Sequence, residues 1–206
     1  LEISKMANAD IPRGLVPVRY RSGAPYNGAA NVYYVPSTYA TALYVGDPVL
    51  TVTDASDANG IQVVELAAAG GTTTEVLGVI VSLAFFDGSP VLRDSGRYHA
   101  ASTAGYVMVA DDPDLLFEVQ EDGVGGAMGV GAVGRKVQLV SGTGSTVTGW
   151  SGWELDSSEL ATTSTHQMHI VAPVLRADND PTLTHAKWLV SFNTGRHVFN
   201  TADSGI

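Results

Sequence analysis

The stretch Tyr106–Gln120, YVMVADDPDLLFEVQ, decides how the rest of the chain is read. Tyr106-Val107-Met108-Val109 and Leu115-Leu116-Phe117-Glu118-Val119 are rich in strand-favouring residues, and the Asp111-Asp112-Pro113-Asp114 between them is built from turn formers. Pro113 has no backbone N–H to donate and disfavours a helical Asp112, so neither strand runs through it. The stretch therefore predicts a hairpin with a charged turn at the centre of a β domain.

Working outward, strands follow one another closely. Upstream lie Ala42–Val45, Val49–Thr53 and Ile61–Leu66, the last two joined through Asn59-Gly60, which tolerates the positive φ of a turn. Ala67–Thr74 reads as small and flexible. Val76–Phe86 is almost continuously apolar; its length fits a buried helix, but Gly78 and the β-branched residues favour a central strand, ended by Asp87-Gly88-Ser89-Pro90. Downstream come Arg135–Val140, His169–Ala172, a turn at Asp178–Pro181 and Ala186–Phe192, where Trp188, Val190 and Phe192 alternate with Lys187, Leu189 and Ser191. With no amphipathic helix between strands, the fold class is mainly β: an antiparallel barrel or sandwich, jelly-roll-like, with little helix. The low-complexity stretch Ser141–Ser151, SGTGSTVTGWS, reads as a loop or as a linker dividing the domain.

Residues 1–36 are expected to form an extended N-terminal arm before a β domain over 37–206. Met6, followed by the small Ala7, reads as a natural start. Pro12, Pro17, Pro25 and Pro36, with glycines between them, allow no helix or long strand. The arm carries Arg13, Arg19 and Arg21, whereas the next basic residue is Arg93, so it is expected to lie against an acidic surface, its own or a neighbour's. Tyr20, Tyr26, Tyr33 and Tyr34 would anchor it, each burying a ring and keeping a polar tip; of these, Tyr20 and Tyr26 join the three arginines as partner contacts. Together with Asp111, Asp112 and Asp114 of the acidic turn, these are the candidate partner-binding residues. The tail from Asn200 to Ile206 is expected to fray.

Composition excludes several classes. A chain of 206 residues buries roughly 70% of its unfolded surface, enough for a core without staples. There is no cysteine, so disulfides and thiolate metal sites are out. The net charge of −10 with only 16% charged residues suits neither a disordered chain nor a nucleic-acid binder. No apolar run approaches the ~20 residues of a membrane span, and no signal-peptide core is visible at the N-terminus. Neither membrane insertion nor secretion is expected.

Candidate chemistry is sparse. Gly129-Val130-Gly131-Ala132-Val133-Gly134 matches G-x-G-x-x-G, but an acidic loop precedes it and a strand follows, where a dinucleotide site needs a strand before and a helix after. Asp111, Asp112, Asp114, Glu121 and Asp122 offer oxygen ligands for Ca²⁺ without the spacing of a calcium loop, and acidic residues are ordinary turn formers. His166 and His169 fall on opposite faces of a strand. There is no nucleophile elbow and no cysteine nucleophile. No catalytic residues, cofactor, metal or small-molecule substrate are expected.

Three passages, IPRGLVPVRYRSGAPYNGAANVYYVP with LYVGDP, YVMVADDPDLLFEVQED, and ELDSSELATTSTHQMHIVAPVLRADND with AKWLVSFNTGRHVF, resemble structural proteins of tailed bacteriophages, the small head proteins regarded as capsid decoration or cement proteins. The resemblance is one of general pattern from about Ile11 to Phe199 and is weakest in the glycine-rich loops. It implies a virion protein on the outer capsid surface, assembled in the bacterial host cytoplasm, with the major capsid protein and further copies of itself, as a dimer or trimer, for partners. Because such proteins bind a shell and not a substrate, it implies no catalytic residues. The alternative is a receptor- or carbohydrate-binding β module on the virion surface, such as a head fibre, using Tyr98, Trp150, Trp153 or Trp188 as exposed aromatics.

Overall fold

The computed structural model describes residues 7–70, 75–86, 92–94 and 96–200. The expected strand end at 87–90, half of the small segment 67–74, the start at Met6 and the tail beyond 200 lie outside these. As the sequence implies, the described chain is mainly β, and among the described residues the only helical pieces are three short 3₁₀ turns.

Among the described residues, fourteen strands make two large sheets and one small one. The first large sheet contains β2 (Asn31–Val35), β4 (Pro48–Ser56), β5 (Gln62–Leu66), β6 (Gly78–Phe86), β7 (Leu92–Asp94) and β9 (Gly105–Ala110). Its order is β4-β5-β2-β9-β6-β7, and β4 also pairs with β6, which closes five of these strands into a barrel. The predicted β4–β5 hairpin forms, with Val49 opposite Leu66. Asp57 shapes its turn, accepting from Asn59 N and Ile61 N at 2.8 Å each. Gly78 sits at the closure, where a Cβ would stand 2.4 Å from the Ala110 carbonyl; only glycine lets β6 approach the end of β9 so closely. Val35, Leu43, Val49, Val64, Leu77, Ile80, Val107 and Val109 fill this barrel.

The second large sheet runs β1-β10-β14-β13-β11-β12, with β1 (Val16–Tyr20), β10 (Leu115–Gln120), β11 (Lys136–Val140), β12 (Glu154–Ala161), β13 (Met168–Pro173) and β14 (Lys187–Phe192). It curls until Glu121, just past β10, bridges Leu155 of β12, and Asp122 N donates to Leu155 O at 3.0 Å. Phe117, Trp188, Phe192, Leu155 and Ile170 are fully or almost fully buried inside it, and Phe117 meets Phe192 edge to face at 5.0 Å. The third sheet is β3 (Leu43–Tyr44) with β8 (Tyr98–His99). Residues 141–151 connect β11 to β12, which pair with each other, so this stretch is a loop within one sheet and not a boundary.

Two sequence expectations are corrected. The Tyr106–Gln120 stretch is not a hairpin: β9 pairs with β2 and β6, β10 pairs with β1 and β14, and the two never pair with each other. Each strand already has a neighbour on both hydrogen-bonding edges, so neither has an edge to offer the other. The N-terminal segment, expected as an extended arm separate from the β domain and lying on its own surface or a neighbour's, instead supplies a strand to each large sheet. Its β1 joins the second sheet beside β10 and its β2 becomes an interior strand of the first barrel, so it packs in cis and ties the two together.

The seam between the barrels is dense. Leu15 N donates to Gly46 O at 3.0 Å, Ser151 N to Val45 O at 2.9 Å, Gly70 N to Leu139 O at 3.0 Å and Val76 N to Arg196 O at 2.8 Å. Ala67, Val76, Val79 and Ala110 of the first barrel pack into the core of the second. Gly46, at φ +98°, has the Arg13 carbonyl 2.3 Å from where a Cβ would be. Gly46→Ala is expected to cost about 2–5 kcal/mol, from strain plus a forced separation of the seam, read as a lower urea midpoint. Next to it, Asp47 is only 3% exposed. Burial pushes its carboxyl from 3.8 up to about 6, against the opposing hydrogen bonds from Ser151 and Tyr44 N. The folded state thus holds this proton more tightly than the unfolded chain, so the stability it contributes is complete below about pH 4 and is lost as pH rises through about 6. Asp47→Asn removes that loss, and its advantage over the native protein in urea unfolding is expected to grow between pH 4 and pH 7.

Candidate functional site

The sequence-predicted residues divide into structural and exposed groups. Asp111 is buried and accepts from Tyr33 Oη at 2.6 Å and from Asn31 Nδ2 at 2.9 and 3.1 Å, all three residues lying where β2 runs beside the end of β9. Burial and the adjoining carboxylate drive the Tyr33 phenol well above its usual range. Asp111 is therefore an internal anchor and not part of a docking surface. Asp112 and Asp114 are exposed; Asp112 Oδ1 caps the turn by accepting from Asp114 N at 2.8 Å. Asp114 O accepts from Arg21 N at 2.8 Å, so the acidic link and the arginine-bearing segment meet within one chain.

The three arginines diverge. Arg13 lies over the Trp150 ring, 5.7 Å from its centroid, a cation–π contact. Arg19 is exposed on β1, whereas Tyr20 and Tyr26 pack partly buried against the core of the second sheet. Arg21 reaches across the outer face of that sheet, its Nη2 donating to Ser191 Oγ at 2.8 Å. Strand register continues the row: Ser191 on β14 stands opposite His169 on β13, and His169 opposite Lys136 on β11. Residues paired across strands share a face, and the core face here belongs to Met168, Ile170, Trp188 and Val190. Arg21, His169 and Lys136 thus form a basic row on the outer face. Burial, followed by the charge of Arg21, lowers the affinity of Lys136 for its proton. His169 is lowered by burial, then by Lys136 and Arg21. Neither Arg21 nor Lys136 forms an ion pair with a carboxylate among the described residues.

The acidic residues that sequence reading grouped as a possible calcium site do not converge. Glu121 is fully buried, accepting from Trp188 Nε1 at 3.0 Å and Met128 N at 3.2 Å, and burial raises its carboxyl. Asp122 accepts from Ser157 N at 3.0 Å and Ser157 Oγ at 2.7 Å. His166 contacts Thr163 and Thr165 in the loop between β12 and β13, so it does not share a strand with His169 of β13. The glycine match at 129–134 encloses a 3₁₀ turn at Val130–Ala132 and leads into a strand, without the helix a dinucleotide site needs. Among the described residues one group has metal-ligating donors within 4.8 Å of one another: Asp10, Glu154 and His185. Burial, then the charges of Asp10 and Asp122, raise Glu154 to about 7. Neither this group nor the basic row is legible in the sequence, because each depends on strand register and loop return across more than a hundred residues.

No family model, curated protein or solved structure matches this chain.

The division of the acidic link has a direct consequence. Asp111→Ala strands the Tyr33 hydroxyl and the Asn31 amide inside the protein and is expected to cost about 2–4 kcal/mol. Asp112→Ala, losing one exposed turn bond, is expected to cost about 1 kcal/mol or less. Chemical denaturation of the two variants side by side checks this.

Proposed function

We propose that the chain is a structural, non-catalytic component of a tailed-phage virion that decorates the capsid and stabilises it by bridging neighbouring major capsid subunits. The resemblance of its sequence to phage head proteins motivates the reading. The observation that carries it is the basic row of Arg21, His169 and Lys136 on the outer face of the second sheet, in a chain whose net charge is −10. Two cations, Arg21 and Lys136, flanking His169 without a paired carboxylate among the described residues, on an otherwise acidic protein, suit docking on an acidic patch of a shell subunit. Two barrels sewn together along a hydrogen-bonded seam give a stiff body, which loses little conformational freedom when it spans two subunits. Repeated over a symmetric shell, and within a homo-oligomer, a modest contact per copy becomes strong collectively.

The receptor- or carbohydrate-binding alternative calls for grouped, exposed tryptophans. Trp153 and Trp188 are 2% and 0% exposed, which leaves Trp150 at 37%, itself covered on one face by Arg13. This distribution favours the scaffold role.

Mass spectrometry of purified particles is expected to find the protein in fixed stoichiometry to the major capsid protein. Rebinding to stripped shells is expected to weaken with rising salt and to fall at least tenfold for the double variant Arg21→Glu, Lys136→Glu. Absence from purified particles, or unchanged occupancy in that variant, would overturn the reading.

A further inference from the structure

We propose that Asp10, Glu154 and His185 form a zinc-type divalent-cation site that staples the N-terminal segment to the second barrel. The three side chains come from distant parts of the chain: the segment before β1, the first residue of β12, and the loop leading into β14. Their donor atoms lie within 4.8 Å of one another, with His185 Nδ1 3.7 Å from Asp10 Oδ1.

Two of the donors are in a condition that calls for a ligand. Glu154 Oε1 and His185 Nδ1 are both inaccessible to solvent and have no hydrogen-bond partner. A protonated imidazole would not resolve this. Its single Nδ1–H faces Asp10 at a distance beyond hydrogen bonding and leaves Glu154 Oε1 bare. A cation held among the three satisfies both atoms at once.

The surroundings hold two of the ligands in place and leave the third adjustable. His185 adopts φ +59°, an uncommon conformation for a residue other than glycine. Its ring packs beside Gly123, where a Cβ would be 3.2 Å from Cε1. Glu154 is fixed in the β11–β12 ladder opposite Val140. Asp10 is the exposed partner, oriented by Gln120, whose Nε2 donates to Asp10 Oδ1 at 3.3 Å while its Oε1 accepts from Ile11 N at 3.2 Å. Asn8 already pins the same segment to the loop that carries His185, donating to Asp180 O and Thr184 O at 2.9 Å each. Tetrahedral ligands at about 2.0–2.2 Å from a metal lie about 3.4 Å apart, so donors that already lie within 4.8 Å of one another need only draw together slightly, the exposed Asp10 being the most adjustable of the three. One imidazole and two carboxylates with a water as fourth ligand is a borderline donor set that suits Zn²⁺; Ca²⁺ and Mg²⁺ prefer all-oxygen shells.

The test uses the full chain stripped with chelator, then titrated calorimetrically and melted with Zn²⁺, Ca²⁺ or Mg²⁺. Zn²⁺ is expected to bind one per chain and to raise Tm by about 5–10 °C at a hundredfold excess over Kd, with no comparable rise for Ca²⁺ or Mg²⁺. His185→Ala and Glu154→Gln are expected to weaken Zn²⁺ binding at least tenfold. Co²⁺ added to the native protein is expected to give the visible absorption of a four- or five-coordinate ion, a readout that needs no variant to fold. No heat and no Tm shift at millimolar Zn²⁺, an equal response in both variants, or an octahedral Co²⁺ spectrum would overturn the proposal.

Discussion

The buried carboxylate of Asp111 is the point on which the two halves of the molecule depend. It sits at the end of β9, where the chain leaves a closed barrel and has four residues in which to enter a different sheet. A buried carboxyl group there is tolerable because Tyr33 and Asn31, both from β2, donate to it. Those donors belong to the strand that follows β1, and β1 flanks β10. One carboxylate thus couples the exit of the chain from the first barrel to the N-terminal segment that helps build the second. Pro113 then prevents β9 from continuing, and Leu115 begins a strand whose first three residues are all buried.

This arrangement explains why strand positions were readable and pairing was not. Local composition marks a strand because β-branched and aromatic side chains fit a pleated, half-buried surface. Val76–Phe86, Arg135–Val140 and Ala186–Phe192 accordingly fall on β6, β11 and β14 with small changes at the ends. Which strand lies alongside is decided by edges that remain open after the whole sheet forms, and no local signal carries that. The acidic link does carry a turn, with Leu115 N donating to Asp112 O at 3.2 Å, but it delivers the chain to β1 and β14. A subtler cue was present in Leu115-Leu116-Phe117: consecutive apolar residues without alternation mark an interior strand buried on both faces, which needs two partners of its own. The same cue applies to β14, where Leu189 and Ser191 are buried along with Trp188, Val190 and Phe192, although alternation suggested a single apolar face.

The candidate sites were invisible for a related reason. Arg21 was recognisable as one of few cations in an acidic region, but its neighbours Lys136 and His169 lie more than a hundred residues away and reach it only through the register of β11, β13 and β14. Conversely, the densest acidic cluster in the sequence dissolves on folding: Asp111, Glu121 and Asp122 each satisfy different donors. Proximity in sequence counted acidic residues; the fold distributed them.

The N-terminal segment is the element through which these features act together. Asn8 and Asp10 meet the loop before β14, Leu15 joins the seam at Gly46, Arg21 reaches Ser191 on the outer face of the second sheet, and β2 enters the first barrel. A load applied at Arg21 passes through the β1–β10 pairing into the best-packed part of the molecule, where β10 and β14 bury Phe117, Trp188 and Phe192. The weakest part of that path is its beginning, since the stretch before Leu15 is held by isolated side-chain bonds and not by a continuous ladder. A cation at Asp10, Glu154 and His185 would act at that end, fixing the segment to β12 and to the β14 loop before it reaches the seam. Its effect would fall on the fraying of the N-terminal segment and not on either barrel core, because neither core contains any of the three ligands.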